Sequence, residues 1–458
     1  MKLDELKAYK MSDQCDLAID NMEGLFMSSI DLTAILDKIP ISRFHYVMLI
    51  ICILFYFFAA MNCVLIAPAL DLIQKEFRLD PFLLGIVVGS LYLGMLLGAA
   101  TCGYLSDAIG RKLALVITTT IHSIFTGLLA LAWDFKSLVV LRFIAGYGLG
   151  GLLPLPGVYM SEYAPPRRRG LFIGLIETSW VFGALLAASL GLVIIPRYGW
   201  RVLFYTAFIP LAIIPPALAY LPESIRYLLM KGRVTDALLI FERLGVKLKE
   251  APKVKVERVE VKEIFTPEYL PRTVLLWTLW FSLVYTYHGI FIWLKAFFIR
   301  TSLIVAPLFF YFVVTLAQIP GYFSATFLLD RIGRKAVLEL YLTMAGIGCL
   351  AYAFSKDPMT VLLSSCIIGF FNLGAWAGLY TYTPELYPTR IRGTGSGTAA
   401  SFGRFGGFLQ GPLTGLVLAN FGLSATFIKF MFIHLVAAIA VLLLGVETRG
   451  KRLEEISK

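Results

Sequence analysis

Long uninterrupted runs of apolar residues, separated by short charged breaks, dominate the sequence. A helix needs about 20 apolar residues to cross the hydrocarbon core of a bilayer. Twelve blocks meet that length: 45–67, 82–104, 113–133, 137–161, 171–195, 201–221, 272–298, 303–329, 336–354, 359–382, 395–419 and 424–446. The pattern predicts an all-α membrane protein of twelve transmembrane helices, numbered here as spans 1 to 12. Most breaks are only a few residues long. The exception is 222–271, which contains KLKEAPKVKVERVEVKE and is predicted to be a solvated linker with some helix.

Composition agrees with this reading. Of 458 residues, 58% are hydrophobic and 16% charged, against about 45–50% and about 25% in a soluble domain. A soluble enzyme is therefore excluded. The net charge of +11 would suit a nucleic-acid partner, but its placement argues for topology instead. With both termini cytoplasmic, 30 Lys/Arg fall on cytoplasmic segments, seven on outer loops and four inside spans. That asymmetry is the positive-inside rule, and it places the chain in the cell membrane as a multi-pass protein with no nucleic-acid partner. The first 44 residues hold eight acids and no apolar core, so they are expected to be a cytoplasmic segment and not a cleaved signal. Six scattered cysteines form no CxxC pair and no zinc-like spacing, and no Walker-type glycine loop is present. No metal, cofactor or ATP-driven step is expected. A monomer is the expected state.

Two motifs occur twice at one offset. Asp107-Ala-Ile-Gly110-Arg111-Lys112 recurs 223 residues later as Asp330-Arg-Ile-Gly333-Arg334-Lys335. Glu162-Tyr-Ala-Pro-Pro-Arg-Arg-Arg169-Gly170 recurs at the same offset as Glu385-Leu-Tyr-Pro-Thr-Arg-Ile-Arg392-Gly393. A weaker pair, Pro222-Glu223-Ser-Ile-Arg226 and Val446-Glu447-Thr-Arg449, is one residue out of step. The chain divides accordingly into an N-terminal segment (1–44), a first six-helix bundle (45–221), a linker (222–271), a second bundle (272–446) and a tail (447–458). Two parallel membrane repeats leave a midplane interface where a small solute can sit, exposed to one side at a time as the halves rock. These paired loops resemble the major facilitator superfamily, over essentially the whole chain after about residue 30.

Within that superfamily the chain resembles the niacin porter, synaptic vesicle protein 2 and organic ion transporter group. The residues that carry the likeness are Arg142-Phe-Ile-Ala-Gly146-Tyr-Gly148-Leu-Gly150-Gly151 in span 4 and Glu177-Thr-Ser-Trp180 in span 5. Tyr285-Thr-Tyr287-His288-Gly-Ile-Phe-Ile-Trp293 in span 7 and Gln318-Ile-Pro-Gly321-Tyr322 in span 8 add to it. Span 10 gives the most specific stretch, Phe371-Asn372-Leu-Gly-Ala-Trp376 running into Tyr380-Thr-Tyr382-Thr-Pro-Glu385. The segment Leu36-Asp37-Lys-Ile-Pro-Ile-Ser-Arg43-Phe44-His45 is also similar to niacin porters. Three features depart from the pattern. Leu152 of Leu152-Leu153-Pro154 stands where niacin porters tend to have Glu before Leu-Pro, and His288 and Lys295 replace an expected Tyr and Pro. The resemblance implies secondary transport of a small organic anion, with proton symport. A sugar or organic cation porter, or a non-transporting receptor, stands as the alternative. The paired glutamines of sugar porters in span 7 are absent.

Charges inside a bilayer cost about 2.5–3.5 kcal/mol on insertion scales, so each one asks for a function. Arg404 in span 11 is the expected substrate contact, because its guanidinium can hold a carboxylate through two parallel hydrogen bonds. The resemblance sharpens this, since organic anion carriers tend to have Arg at that position. Glu177 is the expected proton-coupling group, with a permanent ion pair to Arg142 as the competing reading. The resemblance gives Arg142 mainly the task of steadying span 1, with coupling second. Tyr285, Tyr287, His288, Trp293, Gln318, Asn372, Trp376 and Tyr380, with Trp180, form the expected wall of the site; rings stack and amides orient. Gly146, Gly148, Gly150 and Gly151 fit close helix packing. The repeated loops are expected to be gates. Asp107, Arg111, Asp330 and Arg334 would pair or cap a helix on the opposite half, and Glu162/Arg169, Glu385/Arg392, Glu223 and Glu447 would complete the charge network.

Overall fold

The computed structural model describes residues 41–244, 246, 260–388 and 390–450. Most of the predicted N-terminal segment, the KLKEAPKVKVERV stretch of the linker and the tail from 451 lie outside the described residues. Within them the chain is helical throughout, in the order α1 (Arg43–Val64), α2 (Leu70–Glu76), α3 (Pro81–Ile109), α4 (Arg111–Gly127), α5 (Phe135–Leu152), α6 (Leu155–Tyr163), α7 (Pro166–Tyr205), α8 (Ile214–Tyr220), α9 (Ile225–Met230) and α10 (Val234–Arg243). The second half continues with α11 (Leu270–Phe291), α12 (Leu294–Thr301), α13 (Pro307–Ile332), α14 (Arg334–Ala353), α15 (Pro358–Glu385) and α16 (Arg392–Leu444).

Among the described residues, ten helical runs are long and apolar enough to cross a membrane, and they accommodate twelve spans. Spans 5 and 6 share one run and spans 11 and 12 another, each broken at a glycine with φ of 79°, Gly199 and Gly422. The positive φ there ends one helix and turns the chain into the next, and only glycine adopts it freely. The two glycines stand 223 residues apart, the offset of the repeated loops. Helix starts repeat as well. Asp134 accepts from the Ser137 N–H at 2.7 Å, and Asp357 from those of Met359 and Thr360 at 3.0 Å. Such N-caps satisfy donors that the first turn leaves free.

Small residues set how close the helices come. In the contact between spans 2 and 4, Gly94 and Gly98 lie on the Phe143 and Tyr147 carbonyls, and Gly146 and Gly150 on those of Leu91 and Met95. Gly148 and Gly151 pack the other side of span 4 on span 3, Gly151 also meeting Cys102 of span 2. The two six-helix halves meet most closely where span 2 crosses span 11. There Gly85 lies on Gly411, Gly89 on Phe408, and Gly415 on Pro81. That crossing lies at the end of the bundle remote from the repeated loops.

Candidate functional site

Between the halves, spans 2, 4, 5, 7, 8, 10 and 11 line a small cavity of about 40 Å³. Its wall is mainly aromatic: Tyr92, Trp180, Tyr287, Tyr322, Trp376 and Tyr380, with His288 and several aliphatic side chains. Two charged residues line it, Glu177 from the first half and Arg404 from the second. The Arg404 Nη1 donates to the Ala400 carbonyl at 3.1 Å, and its guanidinium lies 5.7 Å from the Trp280 ring centre. Its buried Nε has no protein partner, and among the described residues no carboxylate pairs with it.

Hydrogen bonds across the halves hold this aromatic box shut. The Trp180 Nε1 donates to the Tyr287 hydroxyl at 3.2 Å, which donates in turn to the Gln318 Oε1 at 3.2 Å. Tyr56 of span 1 and Tyr380 share a hydroxyl contact at 3.3 Å. Beneath the box lies a second cavity of about 830 Å³, open at the end that carries the repeated loops. Asp107, Arg111, Trp277, Gly393 and Arg404 are among its lining residues. Arg404 therefore stands where the enclosed and open spaces meet.

The opposite end is closed, and a buried ion pair joins the halves there. The Lys295 Nζ lies 2.6 Å from the Asp71 Oδ1 and donates to the Pro68 carbonyl at 2.7 Å, both charged side chains being almost fully buried. The molecule is closed at one end and open at the other.

Comparison with known proteins then decides the family. A family model described as sugar (and other) transporter matches residues 70–458. The chain belongs to that family of the major facilitator superfamily. It is a membrane transporter, not an enzyme. The niacin transporter of Acinetobacter baylyi is 35% identical, over 93% of this chain and 99% of that protein. A synaptic vesicle 2-related protein of Xenopus laevis is 27% identical, over 87% of this chain and 77% of its own. Among solved structures, a partially occluded inward-open conformation of the Escherichia coli xylose transporter aligns with a TM-score of 0.74 at 18% identity, covering 90% of this chain and all of that one; this likeness concerns the fold.

In the transporter, the expected site residues divide into wall and support. Tyr287, His288, Trp376, Tyr380, Glu177 and Arg404 line the enclosed cavity. Four others line neither cavity. Tyr285 packs on Phe281 and Phe430, with Lys429 over its ring at 5.2 Å. Trp293 is buried against Phe297 beyond the end of α11. Asn372 donates to Thr286 Oγ1 at 3.1 Å and to His434 Nε2 at 2.8 Å, tying span 10 to spans 7 and 12. Gln318 orients Tyr287 from behind. Helical geometry explains the split. In span 7, Trp280, Val284, Tyr287 and His288 share one stripe, whereas Tyr285 is rotated about 100° from Val284. The same rotation separates Asn372 from the stripe of Leu373, Trp376 and Tyr380. Tyr56, Tyr92 and Trp280 went unnoticed; the three-and-four spacing from Trp280 to Val284 and Tyr287 is the signal that finds the last.

Arg142 departs from expectation. It is buried, its Nε donates to the Val87 carbonyl of span 2 at 2.8 Å, and it lines neither cavity. It hydrogen-bonds span 2, lies near Cys63 of span 1 and, among the described residues, forms no ion pair with Glu177.

The repeated loops build two matching networks, each within one half. Glu223 accepts from the backbone N–H groups of Arg111 (2.8 Å) and Lys112 (3.1 Å), so it caps span 3, while Arg111 pairs with Glu162 at 2.7 Å. Glu447 accepts from Arg334 (2.9 Å) and Lys335 (3.1 Å), capping span 9, while Arg334 pairs with Glu385 at 3.1 Å. Partial burial pushes the Glu447 carboxyl up, but the N–H donors of Arg449, Arg334, Lys335 and Thr448 outweigh this and hold it below its ordinary range. Asp330 pairs with Arg334 of its own half, and Asp107 is exposed on the wall of the open cavity. The caps expected from the opposite half come here from the same half. Arg169 stands partly buried near the start of α7, and Arg392 contacts the Tyr387 carbonyl.

Proposed function

We propose that this transporter carries a small organic anion, a nicotinate-like or other aromatic monocarboxylate, by alternating access with proton symport. The observation that supports the reading most is Arg404: an intramembrane guanidinium on the wall of an aromatic cavity, with a free buried Nε and no carboxylate of its own. A carboxylate entering the box meets a charge-assisted donor, and its ring meets aromatic faces. The niacin relative points to the same solute class. Glu177, on the same cavity and outside any ion pair with Arg142, is the proton carrier in this reading.

The positive-inside rule assigns the face of the repeated loops to the cytoplasm, so the conformation is inward-open and both termini are cytoplasmic. The protein works as a monomer in the cell membrane, since each chain holds one complete cavity. The test is uptake of labelled nicotinate and benzoate into proteoliposomes under an imposed pH gradient. Uptake that rises with the gradient and disappears in Arg404→Ala supports the proposal. Uptake that ignores the gradient ends the symport assignment, and unimpaired anion uptake by Arg404→Ala ends the binding assignment.

A further inference from the structure

Among the described residues a single ion pair crosses from one half to the other, and it lies at the closed outer end. Lys295, in the first turn of α12, reaches the Asp71 carboxylate of α2 at 2.6 Å and donates to the Pro68 carbonyl at 2.7 Å. Both residues are more than nine-tenths buried, and so are their chain neighbours Leu70, Ile73, Leu294 and Phe298. The other charges near this end do not compete for them. Lys75, one turn along α2, is exposed, and Glu76 pairs with Arg201 inside the first half.

The charge networks of the cytoplasmic end are built differently. Arg111 pairs with Glu162 and Arg334 with Glu385, each within its own half. Parting the halves at that end breaks neither pair. At the outer end, parting sends Asp71 away with the first half and Lys295 with the second. Two charges out of reach of water depend on each other, and removing one strands the other. Once the end opens, both are hydrated and neither needs the partner. The pair therefore stabilises the closed outer end and contributes nothing to the open one.

We infer that Lys295 and Asp71 form a latch on the outer gate, which biases the empty transporter toward the inward-open conformation. The inference rests on the alternating-access reading and not on the identity of the solute. Lys295 is also a position where the sequence departs from the niacin-porter pattern, so the latch belongs to this chain and not to the pattern it resembles.

Hydrogen–deuterium exchange on the purified full-length protein without solute tests it. In the native protein, amides of 66–76 and 290–300 should be protected, whereas those of 102–111 and 393–401, which border the open cavity, should exchange faster. The reverse pattern overturns the inference with no variant needed. In Asp71→Leu the outer amides should exchange about tenfold or more faster than in the native protein, and the amides beside the open cavity should slow as that end closes. Opposite changes at the two ends mark a shift between conformations. Faster exchange at both ends, or no change at the outer one, overturns the latch. Asp71→Leu with Lys295→Met leaves no stranded charge and should return both ends toward the native pattern; a double variant as open as the single one also overturns it. No solute enters these measurements, so the latch and the anion assignment fail separately.

Discussion

In the first half, Glu223 gathers the N–H groups at the start of span 3 while Arg111 reaches Glu162; in the second, Glu447 and Arg334 do the same at span 9 with Glu385. Even the hydroxyl bonds correspond, Ser224 donating to Glu162 at 2.5 Å and Thr448 to Glu385 at 2.5 Å. The halves part company in the cavity. The offset of 223 maps Glu177 of span 5 onto Ala400 of span 11, and Arg404 back onto Val181. Glu177, Val181 and Arg404 line the enclosed cavity. One half thus supplies an acid and the other a base from related positions, where their counterparts are aliphatic. The same happens at the closed end, where Asp71 maps onto Leu294, beside Lys295. Duplicated loops keep the scaffold alike, and the departures from symmetry collect where the halves face each other.

Substitutions that restore the symmetry test this contrast. Asp71→Leu copies its counterpart and strands Lys295 in a buried place; breaking such a pair costs about 3–5 kcal/mol. A clear drop in melting temperature is expected, recovered in good part by adding Lys295→Met. An unchanged melting temperature would show that the pair does not hold the closed end. Arg404→Val gives span 11 the residue of span 5 and should weaken aromatic carboxylate binding on the order of a hundredfold, roughly 3 kcal/mol, with the melting temperature little changed. Retained affinity by calorimetry would place the anion elsewhere. Glu177→Ala should reduce gradient-driven accumulation about tenfold yet leave solute exchange across proteoliposomes intact; equal loss of both would mark a structural role.

The smallest effect belongs to the loops. Glu447→Gln weakens a charged cap and should cost about 1 kcal/mol at neutral pH. Because the folded protein holds this carboxyl below its ordinary value of 4.5, its contribution is complete above that value and is lost as pH falls through the depressed one. The gap in melting temperature between native protein and variant should therefore close on acidification. A gap that stays constant would assign the effect to shape instead of charge.

Much of this was legible in the sequence because it is local. Span lengths and the duplicated loops depend on neighbours in the chain, and so does the singling out of Arg404 and Glu177 as charges in apolar helices. What escaped depends on rotation and on tertiary meeting. Tyr285 and Tyr287 are two residues apart and equally aromatic, yet one faces the cavity and the other packs beside Lys429. Lys295 was visible as an odd charge, but its partner lies 224 positions away across the half boundary. Arg142, expected to steady span 1, also bonds span 2, because Gly146 and Gly150 bring span 4 directly onto that helix.

The meeting of Gly85 with Gly411 carries a mechanical consequence. Two bare main chains in contact have no interlocking knobs to disengage and no directional bonds to rupture. Under the alternating-access cycle proposed above, such a seam parts without unlocking side chains, whereas a methyl group added on either helix would run into the opposite carbonyl oxygen and force the two apart.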